Sequence, residues 1–235
     1  MRHIKLCLFL LLILLLASPV FAQINNNWYI YHDVKKEVNG YKDSKGKIKI
    51  LARFNGLTSA LVFRNIIAVS DAVTNKSYYL LKSGKKVGTD SLYVWDMSFD
   101  CEQEGKIRFR DNNTDKVGFF GTNGKVAIPA KYSDARPFYN GLAVVLHHGK
   151  RICAGGGEVN MKNPCEHWSW DGITAIINSR GQIVADSLDI NKLQNINWYS
   201  RQIGNTSAND ATRVSIKAKN GTYYSFINYE KEFNL

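Results

Sequence analysis

Proline is scarce in this chain, four residues in 235, and cysteine is equally so. With only 18 glycines beside those prolines, collagen-like and proline-rich architectures are excluded. After the first 22 residues no apolar run approaches the ~20 residues that a membrane-spanning helix needs. Basic runs of five or more are missing, as is a convincing helical period; residues 189–200 offer the only weak helical candidate. What remains is 45% hydrophobic, 12% aromatic and 22% charged, the make-up of a globular protein rather than a disordered or fibrous one.

The start of the chain has three parts. Arg2, His3 and Lys5 form a short basic stretch, Leu6 to Ala17 is an unbroken apolar run, and Val20-Phe21-Ala22 offers small-residue cleavage before Gln23. A charged start, an apolar middle and a small-residue exit make a secretory signal peptide over residues 1–22. The run is too short for a bilayer anchor, and Cys7 lies inside it rather than at the cleavage point, against a lipoprotein. The expected location is periplasmic or secreted, with residues 23–235 as one mature domain.

Without Arg2 and Lys5, the 31 basic residues fall to 29 against 20 acids, a net charge of +9. Anionic partners would suit that balance: nucleic acid, lipopolysaccharide, acidic glycans or an anionic bilayer. Along the chain, however, the charge is dispersed. Lys35-Lys36 and Lys85-Lys86 are pairs, and Lys45, Lys47 and Lys49 alternate. No nucleic-acid motif accompanies them, so the basic residues read as a solvated surface with no specific nucleic-acid partner.

A short element recurs: Ser44-Lys45-Gly46-Lys47, Lys82-Ser83-Gly84-Lys85, Thr122-Asn123-Gly124-Lys125 and Ser179-Arg180-Gly181-Gln182. Gly supplies the positive φ of a tight hairpin turn. The first three lie near a 40-residue period, and the longer last interval implies a local insertion. Flanking runs are short, rich in Val, Ile, Tyr and Phe, and bounded by Gly, Asn and Asp, so each unit reads strand, Gly turn, strand, bend, strand. Each unit is expected to close with an apolar stretch, Phe63 to Val69 in the first and Phe138 to Leu146 in the third. Asn220-Gly221 marks a hairpin between Arg213–Ala218 and Tyr223–Ile227, with a loop expected over residues 203–212. The expected fold is all-β, an array of about four antiparallel meander repeats, open solenoid or propeller-like. Strands Trp28 to Tyr31 and Tyr223 to Ile227 are expected to meet and cover an edge.

Gly118-Phe119-Phe120, Gly124-Lys125-Val126-Ala127-Ile128-Pro129, Tyr132-Ser133-Asp134 and Phe138-Tyr139-Asn140-Gly141-Leu142-Ala143 resemble the WG-repeat family. Gly40-Tyr41, Asp43, Gly46-Lys47, Ile50 and Phe54 resemble it more loosely, over residues 39–190 in all. The signature Trp is missing, its places held by Asn39 and Val117. The resemblance implies an all-β repeat module, often exported and bacterial, and it carries over no catalytic residue.

Chemistry concentrates in the insertion, at about residues 150–170. Cys153 and Cys165 stand 12 positions apart, and an oxidising compartment makes a disulfide the default. Zinc on Cys153, Cys165 and His167, with His147-His148 upstream, is the rival, although no Cys-x-x-Cys spacing supports it. Free thiols are the third alternative, and Cys101 competes for either partner. Cys165-Glu166-His167 puts a thiol, a carboxylate and an imidazole together, but a disulfide would remove the nucleophile. Gly155-Gly156-Gly157 lacks the Lys-Ser/Thr of a phosphate loop. Asp90-Ser91-Leu92 and Asp186-Ser187-Leu188 resemble a bacterial O-glycosylation acceptor, or serve as bends.

A non-enzymatic binding module is therefore expected, with Trp168, Trp170, His167 and Glu166 as its candidate surface on a stapled loop. In a strand, Trp168 and Trp170 would share one face. The ligand would be a protein or glycan, without metal or cofactor. The alternative is an envelope hydrolase acting on glycan or peptide with residues drawn from separate repeats.

Overall fold

The computed structural model describes residues 26–95, 97–139, 141–189, 196–202, 213–217 and 223–228. The expected leader, the 203–212 loop and the Asn220-Gly221 turn lie outside the described residues.

Four three-stranded antiparallel meanders follow one another. They comprise Trp28–Asp33, Val38–Asp43 and Ile48–Phe54; Ile66–Asp71, Lys76–Leu81 and Lys86–Val87; Lys106–Asp111, Lys116–Gly121 and Val126–Tyr132; and Leu142–Leu146, Ile173–Asn178 and Ile183–Asp189. Their first strands start at residues 28, 66, 106 and 142. The repeat therefore never loses register, and the inserted segment lies inside the fourth unit's first hairpin rather than between units. The apolar stretches expected to close one unit instead open the next: Ile66–Asp71 and Leu142–Leu146 are first strands.

Two kinds of turn build the first three meanders, and the fourth keeps the second kind. In the first, a residue with left-handed φ stands just before the second strand: Glu37, Asn75 and Asp115. An Asp ends the preceding strand and takes backbone N–H groups of the turn, Lys35 to Asp33 Oδ1 at 3.1 Å and Val73 to Asp71 Oδ1 at 3.0 Å. Such Asx caps satisfy donors that the strand ladder leaves free. The second kind is the recurring Gly turn. Gly46, Gly84, Gly124 and Gly181 all have φ between 71° and 86°, as the sequence pattern requires.

Layers of side chains hold the units together. Ile67, Val69, Tyr78 and Leu80 pack with Tyr41, Phe54 and Phe63 of the first unit, whereas Ile66, Ala68, Tyr79 and Leu81 pack with Ile107, Phe109 and Phe120 of the third. A third layer joins Val117, Phe119 and Ile128 to Ala143, Val145, Ala175 and Ile177. Alternation sends successive residues to opposite faces, and here both faces are covered. That is why these strands read as continuous apolar runs instead of polar–apolar alternation.

The repeat glycine ahead of the aromatics has a steric cause. Gly40 pairs across the sheet with Tyr31, and Gly118 with Phe109. A Cβ on Gly118 would lie 2.6 Å from Ile128 O and 2.8 Å from Phe109 Cε1; Gly40 meets Ile50 O and Tyr31 Cε1 at 2.6 and 2.7 Å. In the two degenerate units the bulk is redistributed, with Val69 facing Tyr78 and Val145 facing Ala175. One aromatic per pair is kept in three units of the four.

Buried polar groups are tied into the layers. Arg108 donates to Asp100 Oδ1 at 2.6 Å and to Ala135 O at 2.7 Å, with its guanidinium 4.0 Å from the Tyr93 ring centre. Glu102 accepts the Asn65 and Ile66 N–H groups at 2.8 and 3.0 Å, capping the strand that starts there.

One expectation changes. Trp28–Asp33 is flanked by Val38–Asp43 and Val62–Phe63, so it does not meet the C-terminal hairpin in a shared sheet. That hairpin, Arg213–Lys217 with Tyr223–Asn228, is present and adds Ile196–Gln202 as a third strand. Of the weak helical candidate, Asp189 and residues 196–200 lie in the strands Ile183–Asp189 and Ile196–Gln202, and residues 190–195 lie outside the described residues. No helix in the described residues is long and apolar enough to cross a membrane.

Candidate functional site

The insertion leaves the array where a four-residue turn stands in the other units. Leu146 pairs with Thr174 at the last rung, and His147 N–H still reaches Ile173 O at 2.7 Å. Beyond this the two chains squeeze through a neck built on glycine. A Cβ on Gly149 would lie 2.1 Å from Leu146 Cδ2, and one on Gly172, φ 153°, would lie 2.4 Å from His148 O. Ser133, buried below, accepts the Gly149 N–H at 2.9 Å and the Lys116 ammonium at 3.1 Å.

Above the neck a second hairpin forms from Lys150–Cys153 and Trp168–Asp171, with Arg151 opposite Trp170 and Cys153 opposite Trp168. Cys153 and Cys165 are joined in a disulfide, Cα atoms 6.0 Å apart. The bond closes the Gly- and Asn-rich tip, where Gly156 and Gly157 both take left-handed φ and the Asn160 side chain caps a turn through Lys162 N–H at 2.9 Å. The thiol–carboxylate–imidazole tripeptide accordingly presents no free nucleophile.

Trp168 and Trp170 stand edge to face, ring centres 5.2 Å apart. The Arg151 guanidinium lies 4.9 Å from each ring centre. Its Nη2 also meets Asp115 Oδ2 at 2.8 Å, on the first turn of the third unit. From Asp115 the polar chain continues through Arg110 at 3.0 Å to Asp134 at 3.4 Å, whose Oδ1 takes the Tyr93 hydroxyl at 2.8 Å. The planar guanidinium can pair with a carboxylate while stacking on aromatic faces, which a lysine in its place could not do. Trp168 is 40% exposed and Trp170 half-buried, so neither is a core residue. Glu166 and His167 are exposed and precede the strand, with His167 O accepting the Ala154 N–H at 2.9 Å.

Other candidates fall away from this hairpin. His147 packs against Tyr132 and His148, ring centres 5.8 and 5.4 Å away. Burial, then the charges of His148 and Lys131, push its imidazole pKa below the ordinary histidine value. Among the described residues, no group of three or more His, Cys, Asp and Glu side chains could hold a metal ion. Cys101 is a half-buried free thiol 3.7 Å from Ser59 Oγ, with its pKa pushed up mainly by burial. Ser91 Oγ donates to Gly88 O at 2.9 Å within a bend; the side chain of Ser187 lies outside the described residues.

Sequence reasoning found the two tryptophans but not Arg151 or Asp115. Arg151 is adjacent to neither Trp in sequence, and only the hairpin register brings it there. The sequence signal available was the alternation Trp168, Trp170 opposite Arg151, Cys153, legible once the disulfide fixes the pairing.

Stacked meanders with Gly turns at one end and a loop grown from the other define an all-β repeat protein. Residues 118–150 match the family model described as WG containing repeat, from the signature glycine of the third unit to the base of the insertion. The third unit is thus a WG-containing repeat, and through it the chain is similar to WG-repeat proteins. No curated protein and no solved structure matches it.

Proposed function

We propose that the chain is a non-enzymatic binding module, exported to the cell envelope or secreted space, whose contact surface is the disulfide-closed hairpin. The observation that carries this reading is the Trp168–Trp170 pair locked by Arg151. Large rings held in place lose little entropy on contact, so they are efficient anchors for a glycan ring or a protein side chain. Glu166 and His167, exposed at the entrance to the same strand, would supply the polar contacts. The N-terminal leader and the disulfide both favour an oxidising, extracytoplasmic location.

The test is an array of envelope glycans and peptides probed with the purified protein and with Trp168→Ala. Binding that falls about tenfold or more in the variant, at unchanged thermal stability, supports the proposal. Turnover of peptidoglycan that disappears in Glu166→Gln or His167→Ala would replace it with the hydrolase reading.

A further inference from the structure

The lysines that look scattered along the chain are gathered by the repeat onto one edge. Every Gly turn occupies the same position in its meander. In the fourth unit, Leu142 pairs with Asn178 at the Gly-turn end and Leu146 with Thr174 at the end where the insertion leaves. The two features therefore stand at opposite ends of the strands. The turns also touch the unit before them: a Cβ on Gly124 would lie 2.8 Å from Leu81 and 3.2 Å from Val87, which bracket the preceding turn, and one on Gly181 would lie 3.2 Å from Ile128. The turns at residues 82–85, 122–125 and 179–182 thus form a row.

The charge on this row is one-sided. The four Gly turns contain Lys45, Lys47, Lys82, Lys85, Lys125 and Arg180 and no acidic residue. The turns at the other end, residues 34–37, 72–75 and 112–115, contain Lys35 and Lys36 against Glu37 and Asp115, a balance of zero. Lys85, Lys125 and Arg180 are exposed, and none forms an ion pair among the described residues. Cations released from internal pairing and lined up on one edge create a directional positive potential that an even spread would not.

We propose that the Gly-turn edge is a second binding surface, for a linear acidic glycan. Sheets packed face to face repeat at about 10 Å, so the row offers one or two cations per ~10 Å. Duplex DNA carries a charge every ~1.7 Å of axis, far denser than this row. Single-stranded nucleic acid is held by aromatic stacking, and none of the four turns contains an aromatic residue. A row one turn wide suits a chain rather than a bilayer plane. A flexible polymer with well-separated carboxylates matches both spacing and shape. The Gly-turn edge is separate from the tryptophan loop, which lies at the other end of the strands.

The experiment measures binding of the full protein to polygalacturonate, with neutral dextran and duplex DNA as comparators, over a series of salt concentrations. The edge variant is Lys85→Gln/Lys125→Gln/Arg180→Gln; the charge-matched control is Lys35→Gln/Lys36→Gln/Lys162→Gln. Salt-sensitive binding of polygalacturonate but not dextran is expected, weakened about tenfold or more in the edge variant and less than about twofold in the control. Absence of polygalacturonate binding, equal losses in both variants, or tighter binding of duplex DNA would overturn the proposal. The three single edge substitutions, read the same way, decide the matter if the triple variant does not fold. Trp168→Ala should leave this binding unchanged, so failure here and failure of the loop reading are separable.

Discussion

Arg151 Nη2 lies 2.8 Å from Asp115 Oδ2, and this contact ties the inserted hairpin to the body of the repeat array. Both side chains are partly exposed, so the pair contributes less than about 1 kcal/mol to global stability. Its effect is on orientation. Asp115→Asn keeps a residue that tolerates the left-handed φ of 53° while removing the charge. The expected result is a nearly unchanged urea midpoint with faster amide hydrogen exchange across residues 150–171. An unchanged exchange pattern would show that the loop is held by its neck alone.

The disulfide gives a chemical test. Closing a loop of this size removes about 3 kcal/mol of unfolded-state entropy in the chain-entropy model. Peptide mapping without reductant should find Cys153 bridged to Cys165 and Cys101 free for alkylation after unfolding. A bridge from Cys101 to either partner would contradict the pairing.

Two glycine substitutions separate crowding from backbone strain. Gly118→Ala sets a methyl against Ile128 O and Phe109, which packed strands cannot move away from, and should cost about 1–3 kcal/mol. Gly46→Ala meets nothing within 4 Å and pays only for its φ of 83°, about 1–2 kcal/mol. Crowding at Gly118 should also shift aromatic near-UV dichroism, through Phe109, whereas Gly46→Ala should not. Urea unfolding gives the energies.

Acid should weaken the fold through Asp71. Burial raises the pKa of its carboxyl, but hydrogen bonds from Arg53 at 2.6 Å, Tyr78 at 2.9 Å and the Val73 N–H outweigh burial and hold the pKa below the ordinary aspartate value. The unfolded chain then binds the proton more readily than the folded one. The stabilisation is complete above the unfolded value of about 3.9 and is lost as the pH falls below it through the folded value. Asp71→Asn should be less stable than the parent near neutral pH, and the gap should narrow as the pH falls from about 5 to about 2. A gap independent of pH would remove the carboxylate from the account.

The buried pair Arg108–Asp100 should be intolerant of half-removal. Asp100→Asn leaves a guanidinium that is almost wholly buried without its counter-charge, and a loss of about 3–5 kcal/mol is expected by thermal or urea unfolding. Replacing both residues with apolar side chains of similar volume should cost much less.

The chain itself determined the repeat. Gly46, Gly84, Gly124 and Gly181 are legible because a tight turn needs a left-handed φ that few other residues adopt, and that requirement is local. Strand identity was equally local, written in short Val-, Ile-, Tyr- and Phe-rich runs. Cys153 and Cys165, with Trp168 and Trp170, stood out by residue type alone. Where each unit begins was not legible, since Ile66–Val69 is an unbroken apolar run, and only its packing against two layers shows which hairpin it opens. Arg151 and Asp115 are 36 residues apart, too far for any local pattern to join them. The same holds for Lys85, Lys125 and Arg180, which look dispersed along the chain. Stacking of successive meanders places them on one edge, because equivalent positions of a repeat superpose in space however far apart they lie in sequence.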